Sequence, residues 1–124
     1  MEPVAVYKCL CDVQRLRILN LLQDGPLCVC HLMSLLDETQ VKISKQLLYM
    51  KRLGLLEVER QAQWRIYRIK EPRNPLLEQN LKCLQDLKTE DFPFTEDLKA
   101  KQKMFAGRER TPTAKICCLT KEPS

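Results

Sequence analysis

The chain has 124 residues, 44% of them hydrophobic and 30% charged, which suits one domain with a buried core. Its 21 lysines and arginines exceed 16 acidic residues, and the net charge of +5 permits an anionic partner such as nucleic acid without requiring one. The sequence has no apolar run near the ~20 residues that span a bilayer, no signal-like N-terminus and no glycine-rich phosphate loop. We therefore expect a cytoplasmic protein without a membrane partner.

The first half of the chain contains four segments in which apolar residues recur with helical spacing. The predicted helices cover residues 4–11, 13–24, 27–36 and 40–53. Asp12 and Thr39 are suited to N-cap positions, whereas Gly25-Pro26 and Gly54 are helix-ending signals.

Two of these helices have distinct inner and outer faces. In the second, the apolar side chains predict a broad buried side, with Arg15 and Arg17 outside. In the fourth, Ile43, Leu47 and Met50 repeat at i, i+4 and i+7 and are expected to face the core. The polar residues of the fourth helix then form an exposed face.

After Gly54 the apolar period changes from helical to two. This pattern predicts a β-hairpin with strands over 56–60 and 64–69 around a short polar turn. A leucine-striped helix follows, and then a short charged helix to about Met104; the stripe consists of Leu77, Leu81, Leu84 and Leu87. We expect a DNA-binding and dimerisation domain over 1–104 and a flexible cysteine-containing tail over 105–124.

Three helices, a fourth of recognition type and a hairpin predict a winged helix-turn-helix, mainly α with a β-hairpin wing. The exposed face of the fourth helix and the wing carry amides, hydroxyls and cations that suit base edges and phosphates. The candidate DNA-binding residues are Gln40, Lys42, Ser44, Lys45, Gln46, Arg60, Gln63 and Arg65. The alternative is a solvated helix face with no ligand.

The leucine stripe has no evident partner within so short a fold. We therefore expect it to pack against a second copy, giving a homodimer through the N- and C-terminal helices. A two-fold dimer would match a palindromic operator in double-stranded DNA.

The chain has seven cysteines, an odd number that includes two Cys-X-Cys pairs and one adjacent pair. They are Cys9, Cys11, Cys28, Cys30, Cys83, Cys117 and Cys118. Close pairs in a chain without a secretory signal favour reduced thiols, which serve as small buried residues, soft-metal ligands or redox groups. Ordinary structural zinc is a poor fit, because Cys-X-X-Cys pairs are absent and His31 is the single histidine.

The runs YKCLCDVQRLRILNLL and LCVCHLMSLLDETQVKISKQLLYMKRLGLLEVERQAQWRIYRI resemble the ArsR/SmtB family of repressors over roughly residues 4–100. This resemblance implies a homodimeric, cytoplasmic winged-helix repressor that leaves operator DNA when metal ions or metalloids bind. The arsenic-sensing branch is most similar, and its LCVCDLC motif places thiol ligands on Cys28 and Cys30. Its third cysteine falls on Met33 and its aspartate on His31.

The resemblance implies trivalent arsenic or antimony as inducer, bound by Cys28 and Cys30, with no permanent cofactor. Two thiolates suffice for methylarsenite, whereas arsenite prefers a third. Since residues two apart on a helix point about 200° from each other, we expect binding to unwind the first turn of the third helix. His31 is expected at the surface.

Cys117-Cys118 is the rival inducer site, because some arsenic-responsive relatives carry adjacent cysteines near the C-terminus. Cys9, Cys11 and Cys83 are candidate further thiols, although we interpret all three as packing residues. The alternatives are a sensor of a soft divalent metal (Cd, Pb or Zn) and a thiol-redox sensor of the same fold. No acid–base pair or Cys-X-X-Cys motif supports an enzyme.

Overall fold

The computed structural model describes residues 3–86 and 93–106, which form helices and one small sheet. The helices are α1 (Pro3–Leu10), α2 (Val13–Leu22), α3 (Val29–Leu36), α4 (Gln40–Arg52), α5 (Pro75–Asp86) and α6 (Phe94–Met104). The strands are β1 (Leu27–Cys28), β2 (Leu56–Gln61) and β3 (Trp64–Ile69). A helical body carrying a β2–β3 hairpin is a winged helix, so the predicted fold class is confirmed. We call the hairpin, residues 56–69, the wing.

Both predicted N-caps are present and fix the starts of α2 and α4. The Asp12 carboxylate accepts from the Arg15 backbone N–H at 3.1 Å, and the Thr39 hydroxyl accepts from that of Lys42 at 3.3 Å. Ile43 and Leu47 in α4 are fully buried, as their spacing predicts. The predicted caps and the predicted buried face of α4 are therefore both present in the structure.

The third predicted helix begins two residues later than expected, because residues 27 and 28 form a strand. Leu27 and Cys28 pair antiparallel with Tyr67 and Ile66 of β3, which gives a three-stranded sheet of order β1-β3-β2. Cys28 has φ −87° and ψ 165°, an extended conformation at the N-cap of α3. Cys28 therefore belongs to the sheet of the wing.

The leucine stripe of α5 has partners inside this chain, so the premise of our dimer prediction is wrong. Leu77, Leu81 and Leu84 are 0%, 2% and 7% exposed and join the main core. They lie where α5 packs against α1, α2 and α6. Leu87 lies outside the described residues. A homodimer now depends on the family resemblance and not on an unsatisfied stripe.

Helix α6 is held to α2 and to the turn after it by buried and partly buried polar contacts. Arg17 donates two hydrogen bonds to the Asp97 carboxylate at 2.8 and 2.9 Å, and buried Asn20 donates to the Phe94 carbonyl at 2.9 Å. Lys101 donates to the Leu21 carbonyl at 2.6 Å and to the Asp24 carboxylate at 2.7 Å.

These contacts have two consequences. Burial lowers the pKa of Lys101, against the opposing effect of the Asp24 carboxylate. Arg15 and Arg17 are half-buried and hydrogen-bonded, so the expectation that both lie outside is wrong.

Among the described residues, none of the helices has both the length and the apolar character that a membrane span requires.

Candidate thiol site and nucleic-acid interface

Cys28 and Cys30 face each other at the start of α3, with their Sγ atoms 2.6 Å apart. The strand conformation of Cys28 turns its side chain toward Cys30, and the angle between residues of one continuous helix does not apply. The premise of the predicted unwinding, two thiols on one continuous helix, is therefore wrong. The two sulfurs already point to one place.

His31 is fully buried, so its predicted surface position is wrong. Its Nδ1 atom accepts from the Cys28 backbone N–H at 3.3 Å and lies 3.3 Å from Cys28 Sγ. Its ring meets Phe105 edge to face, with centroids 4.9 Å apart. The buried imidazole thus stabilises the junction between β1 and α3.

Together, Cys28, Cys30 and His31 form a compact donor cluster, with ligand atoms within 4.8 Å of one another. Among the residues with described positions, this is the single group of three or more cysteine, histidine or acidic side chains close enough to hold a metal ion. Two sulfurs and one nitrogen suit a soft or borderline metal or metalloid.

Trp64, at the start of β3, packs against the sulfur pair and was missed by the sequence analysis. Cys28, Trp64 and Ile66 form a small buried cluster with 1%, 9% and 3% exposure, and Cys30 packs against it. The alternation of β3 placed Trp64 and Ile66 on one face, but it did not show what lies opposite. The cluster joins the thiols to the wing.

A groove of about 730 Å³ lies between α3, the first half of α4 and the wing. Its thiol side is lined by Cys28, Val29, Cys30, Met33, Trp64 and Tyr67. Its other lining residues include five of the predicted DNA contacts: Gln40, Ser44, Arg60, Gln63 and Arg65. The sulfur pair and the predicted DNA-binding surface therefore meet in one groove, which the sequence did not show.

The predicted DNA-binding side chains are all exposed or half-exposed on α4 and the wing. Gln40, Lys42 and Lys45 are exposed on α4, and Ser44 and Gln46 are half-exposed. On the wing, Arg60, Gln63 and Arg65 are exposed and Ala62 takes φ 56° in the turn between the strands.

Arg15 was expected to be a plain solvent-facing residue, yet it connects the end of α1 to the outer face of α4. Its guanidinium donates to the Cys9 carbonyl at 2.8 Å and to Gln46 Oε1 at 3.2 Å, and it lies 4.7 Å from the centre of the Tyr49 ring. Since the Gln46 oxygen points to Arg15, its amide NH₂ is directed away from that contact. Gln46 is therefore oriented before any ligand binds.

The wing also carries acidic side chains, which an arginine on β3 offsets. Arg68 forms ion pairs with Glu57 at 3.3 Å and with Glu59 at 2.5 Å. The hydrogen bond from Arg68 lowers the pKa of Glu59. The arginines closer to the turn, Arg60 and Arg65, keep their charge exposed.

The other cysteines lie in different surroundings. Cys9 is fully buried, which confirms its packing role, whereas Cys11 and Cys83 are exposed, so for them that interpretation is wrong. Cys117 and Cys118 lie outside the described residues. Within the part of the chain that the structure describes, none of Cys9, Cys11 and Cys83 joins the donor cluster.

Thiol labelling should separate these positions. Burial raises the pKa of the Cys9 thiol above its ordinary value, so near pH 8 Cys9 holds less of the reactive thiolate than an exposed cysteine. We expect iodoacetamide to modify Cys11 at least about 10-fold faster than Cys9 in the native protein. Peptide mass spectrometry over time measures both rates, and their ratio should approach one in urea. Equal native rates would contradict the buried position of Cys9.

Comparison with known proteins gives a consistent result. The family described as bacterial regulatory protein, arsR family, matches residues 12–58. The arsenical resistance operon repressor of Escherichia coli (strain K12) is 43% identical over 68 residues, which are 54% of this chain and 58% of that relative. The repressor of the same name from Bacillus subtilis (strain 168) is 34% identical over 80 residues, 63% of this chain and 76% of that relative.

Solved structures agree with the sequence relatives. HlyU from Vibrio cholerae N16961 superimposes with a TM-score of 0.62 at 28% identity, covering 71% of this chain and 98% of that chain. The antimony-specific transcriptional repressor AntR gives 0.58 at 29% identity, covering 67% and 76%. With the family match, the relatives and the winged-helix fold in agreement, this chain belongs to the arsR family of bacterial regulatory proteins.

Proposed function

We propose that the protein is a transcriptional repressor that binds operator DNA as a homodimer and releases it when trivalent arsenic or antimony binds Cys28 and Cys30. The observation that carries the proposal is the shared groove, which is lined by the sulfur pair and also by Ser44 and Arg60. The names of the relatives support a metalloid inducer, and α4 with the wing supports DNA contact.

Binding of arsenite at this site is an exchange of arsenic–oxygen for arsenic–sulfur bonds. Two As–S bonds form, two As–OH bonds break, and the two thiol protons leave with the hydroxyls as two water molecules. No electron transfer is needed, so the exchange runs in a reducing buffer. Cys28 and Cys30 place both sulfurs at the junction between β1 and α3, where one arsenic can reach both.

The groove suggests how binding weakens the complex with DNA. A group held by the sulfurs shares its space with side chains that would contact the duplex, and Cys28 is paired through its backbone to β3 of the wing. A ligand that favours the DNA-free form lowers the affinity for DNA, and DNA lowers the affinity for that ligand by the same factor.

A soft divalent cation is the second candidate inducer, because His31 Nδ1 lies 3.3 Å from Cys28 Sγ and offers a third donor. Coordination through Nδ1 would cost the hydrogen bond that this atom accepts from the Cys28 N–H. A two-sulfur ligand keeps that bond, and we therefore favour the metalloid.

The function is tested by DNA binding with ligand titration. Duplexes selected from a random library supply the operator, and fluorescence anisotropy under a reducing buffer follows release by arsenite, antimonite and cadmium. Release by both metalloids supports the proposal. Release by cadmium alone identifies a divalent-metal sensor, and release only by peroxide in metal-free buffer identifies a redox sensor; both results overturn it. If the selection yields no duplex that the protein binds, the assignment of DNA contact is wrong.

Lys45 on the exposed face of α4 provides a direct test of the DNA surface. We expect Lys45→Ala to weaken binding and to lower the slope of log affinity against log salt by about one, as loss of one phosphate contact does. Lys51→Ala, an exposed change in the last turn of the same helix, is the matched control and should have a smaller effect. Equal salt slopes in wild type and Lys45→Ala would contradict the predicted contact surface.

A further inference from the structure

The groove is larger than an inorganic arsenic centre requires. Its volume of about 730 Å³ falls in the range of ~300–1,000 Å³ that is typical of sites for organic molecules, whereas arsenite contributes only one arsenic and its hydroxyls. Among the described residues, the donor cluster there contains two cysteine sulfurs and no third thiol. An arsenical that carries a carbon substituent needs only two thiolates, and its substituent would occupy the remaining volume of the groove.

The thiol side of this groove is chemically suited to a hydrocarbon substituent. Met33 lies one helical turn after Cys30 and lines the groove with a polarizable thioether. Trp64 packs against Cys28 and also lines the groove, with Tyr67 nearby on the same strand. Aromatic rings gain from edge and stacking contacts with indole and thioether groups beyond the area that they bury.

We infer that the site is selective for trivalent arsenicals with one aromatic substituent, whose ring occupies the groove between Met33 and Trp64. The inference rests on the proposed sulfur ligands. An arylarsonous acid, R–As(OH)₂, exchanges both hydroxyls for Cys28 and Cys30 sulfurs, releases two water molecules and keeps its As–C bond. The ring then occupies part of the groove that Ser44 and Arg60, two proposed DNA contacts, also line.

The test uses the one tryptophan of the full chain as reporter, since Trp64 touches the sulfur pair. Trp64 emission and titration calorimetry are recorded with phenylarsine oxide, methylarsenite and arsenite under identical reducing conditions. We expect phenylarsine oxide to bind at least about 10-fold more tightly than methylarsenite, the ratio that about 1.4 kcal/mol of ring contact gives. Equal affinity for all three arsenicals would overturn the inference and leave the sulfur site intact.

Substitutions at Met33 locate the ring. Met33→Ala removes one wall and should reduce the phenyl-to-methyl preference several-fold, while the volume-matched Met33→Leu should retain it. Met33→Cys should instead raise arsenite affinity by adding a third thiolate. An unchanged preference in Met33→Ala would overturn the ring position. If Cys28→Ser/Cys30→Ser binds all three arsenicals as the wild type does, both the inference and the proposed sensor site are wrong.

Discussion

In the Cys28→Ser/Cys30→Ser protein, arsenite and antimonite are expected to leave the operator complex intact. An effector typically changes the affinity of its partner ~5–150-fold, and without the two sulfurs this factor should fall to one. Serine is a favoured N-cap residue, so the change at residue 28 suits the start of α3 and preserves the backbone pairing with β3. Anisotropy of a labelled duplex during arsenite titration measures the response, and ligand-free affinity should stay near that of the wild type.

Two matched variants make this result specific. Cys11→Ser/Cys83→Ser removes two exposed thiols outside the donor cluster and should respond as the wild type does. Cys117→Ser/Cys118→Ser tests the rival pair in the predicted tail. A normal response in Cys28→Ser/Cys30→Ser together with a lost response in the tail variant would transfer the sensor to Cys117 and Cys118.

A large effect on stability is expected at Asp97. Asp97→Ala removes a side chain that is 7% exposed and accepts two short hydrogen bonds from Arg17, whose own side chain is 24% exposed. Hydrogen bonds to charged groups contribute ~1.5–3 kcal/mol, and Arg17 regains some water when its partner is lost. We expect the free energy of unfolding to fall by about 2 kcal/mol, measured by urea denaturation.

Glu96 provides the control on the same turn of α6. Its side chain is 77% exposed and lies 3.5 Å from Lys99, so its ion pair is screened by solvent. Glu96→Ala should change stability by less than about 0.5 kcal/mol. If both variants unfold at the same urea concentration, the contact between α2 and α6 does not carry the stability that its geometry suggests.

Much of the fold was predictable because its signals are local. The caps at Asp12 and Thr39 act on backbone groups three residues away, and the spacing of Ile43 and Leu47 repeats within one helix. After Gly54 the spacing of apolar residues changes from helical to alternating, and this change alone predicts the strands of the wing. Each of these features needs only a short window of sequence, so composition and spacing were enough.

The features that sequence reasoning missed depend on contacts between distant segments. β1 exists because Leu27 and Cys28 pair with residues almost forty positions later, and two residues carry no strand periodicity. The burial of His31 depends on packing with Phe105. Likewise, the α5 leucines looked unpartnered because the core that receives them comes from α1, α2 and α6. Only the folded chain shows that the sulfur pair and the α4 face share a groove.

The pairing of β1 with β3 has a consequence for how such regulators change over evolution. The hydrogen bonds of a strand pair come from the backbone, so they do not depend on which small side chain follows Leu27. A lineage can exchange the thiol at position 28 for another small group and retain a sheet that still supports DNA recognition. Loss of sensing would then leave a constitutive repressor rather than an unfolded chain, and new ligand chemistry can be acquired at the same position by single substitutions.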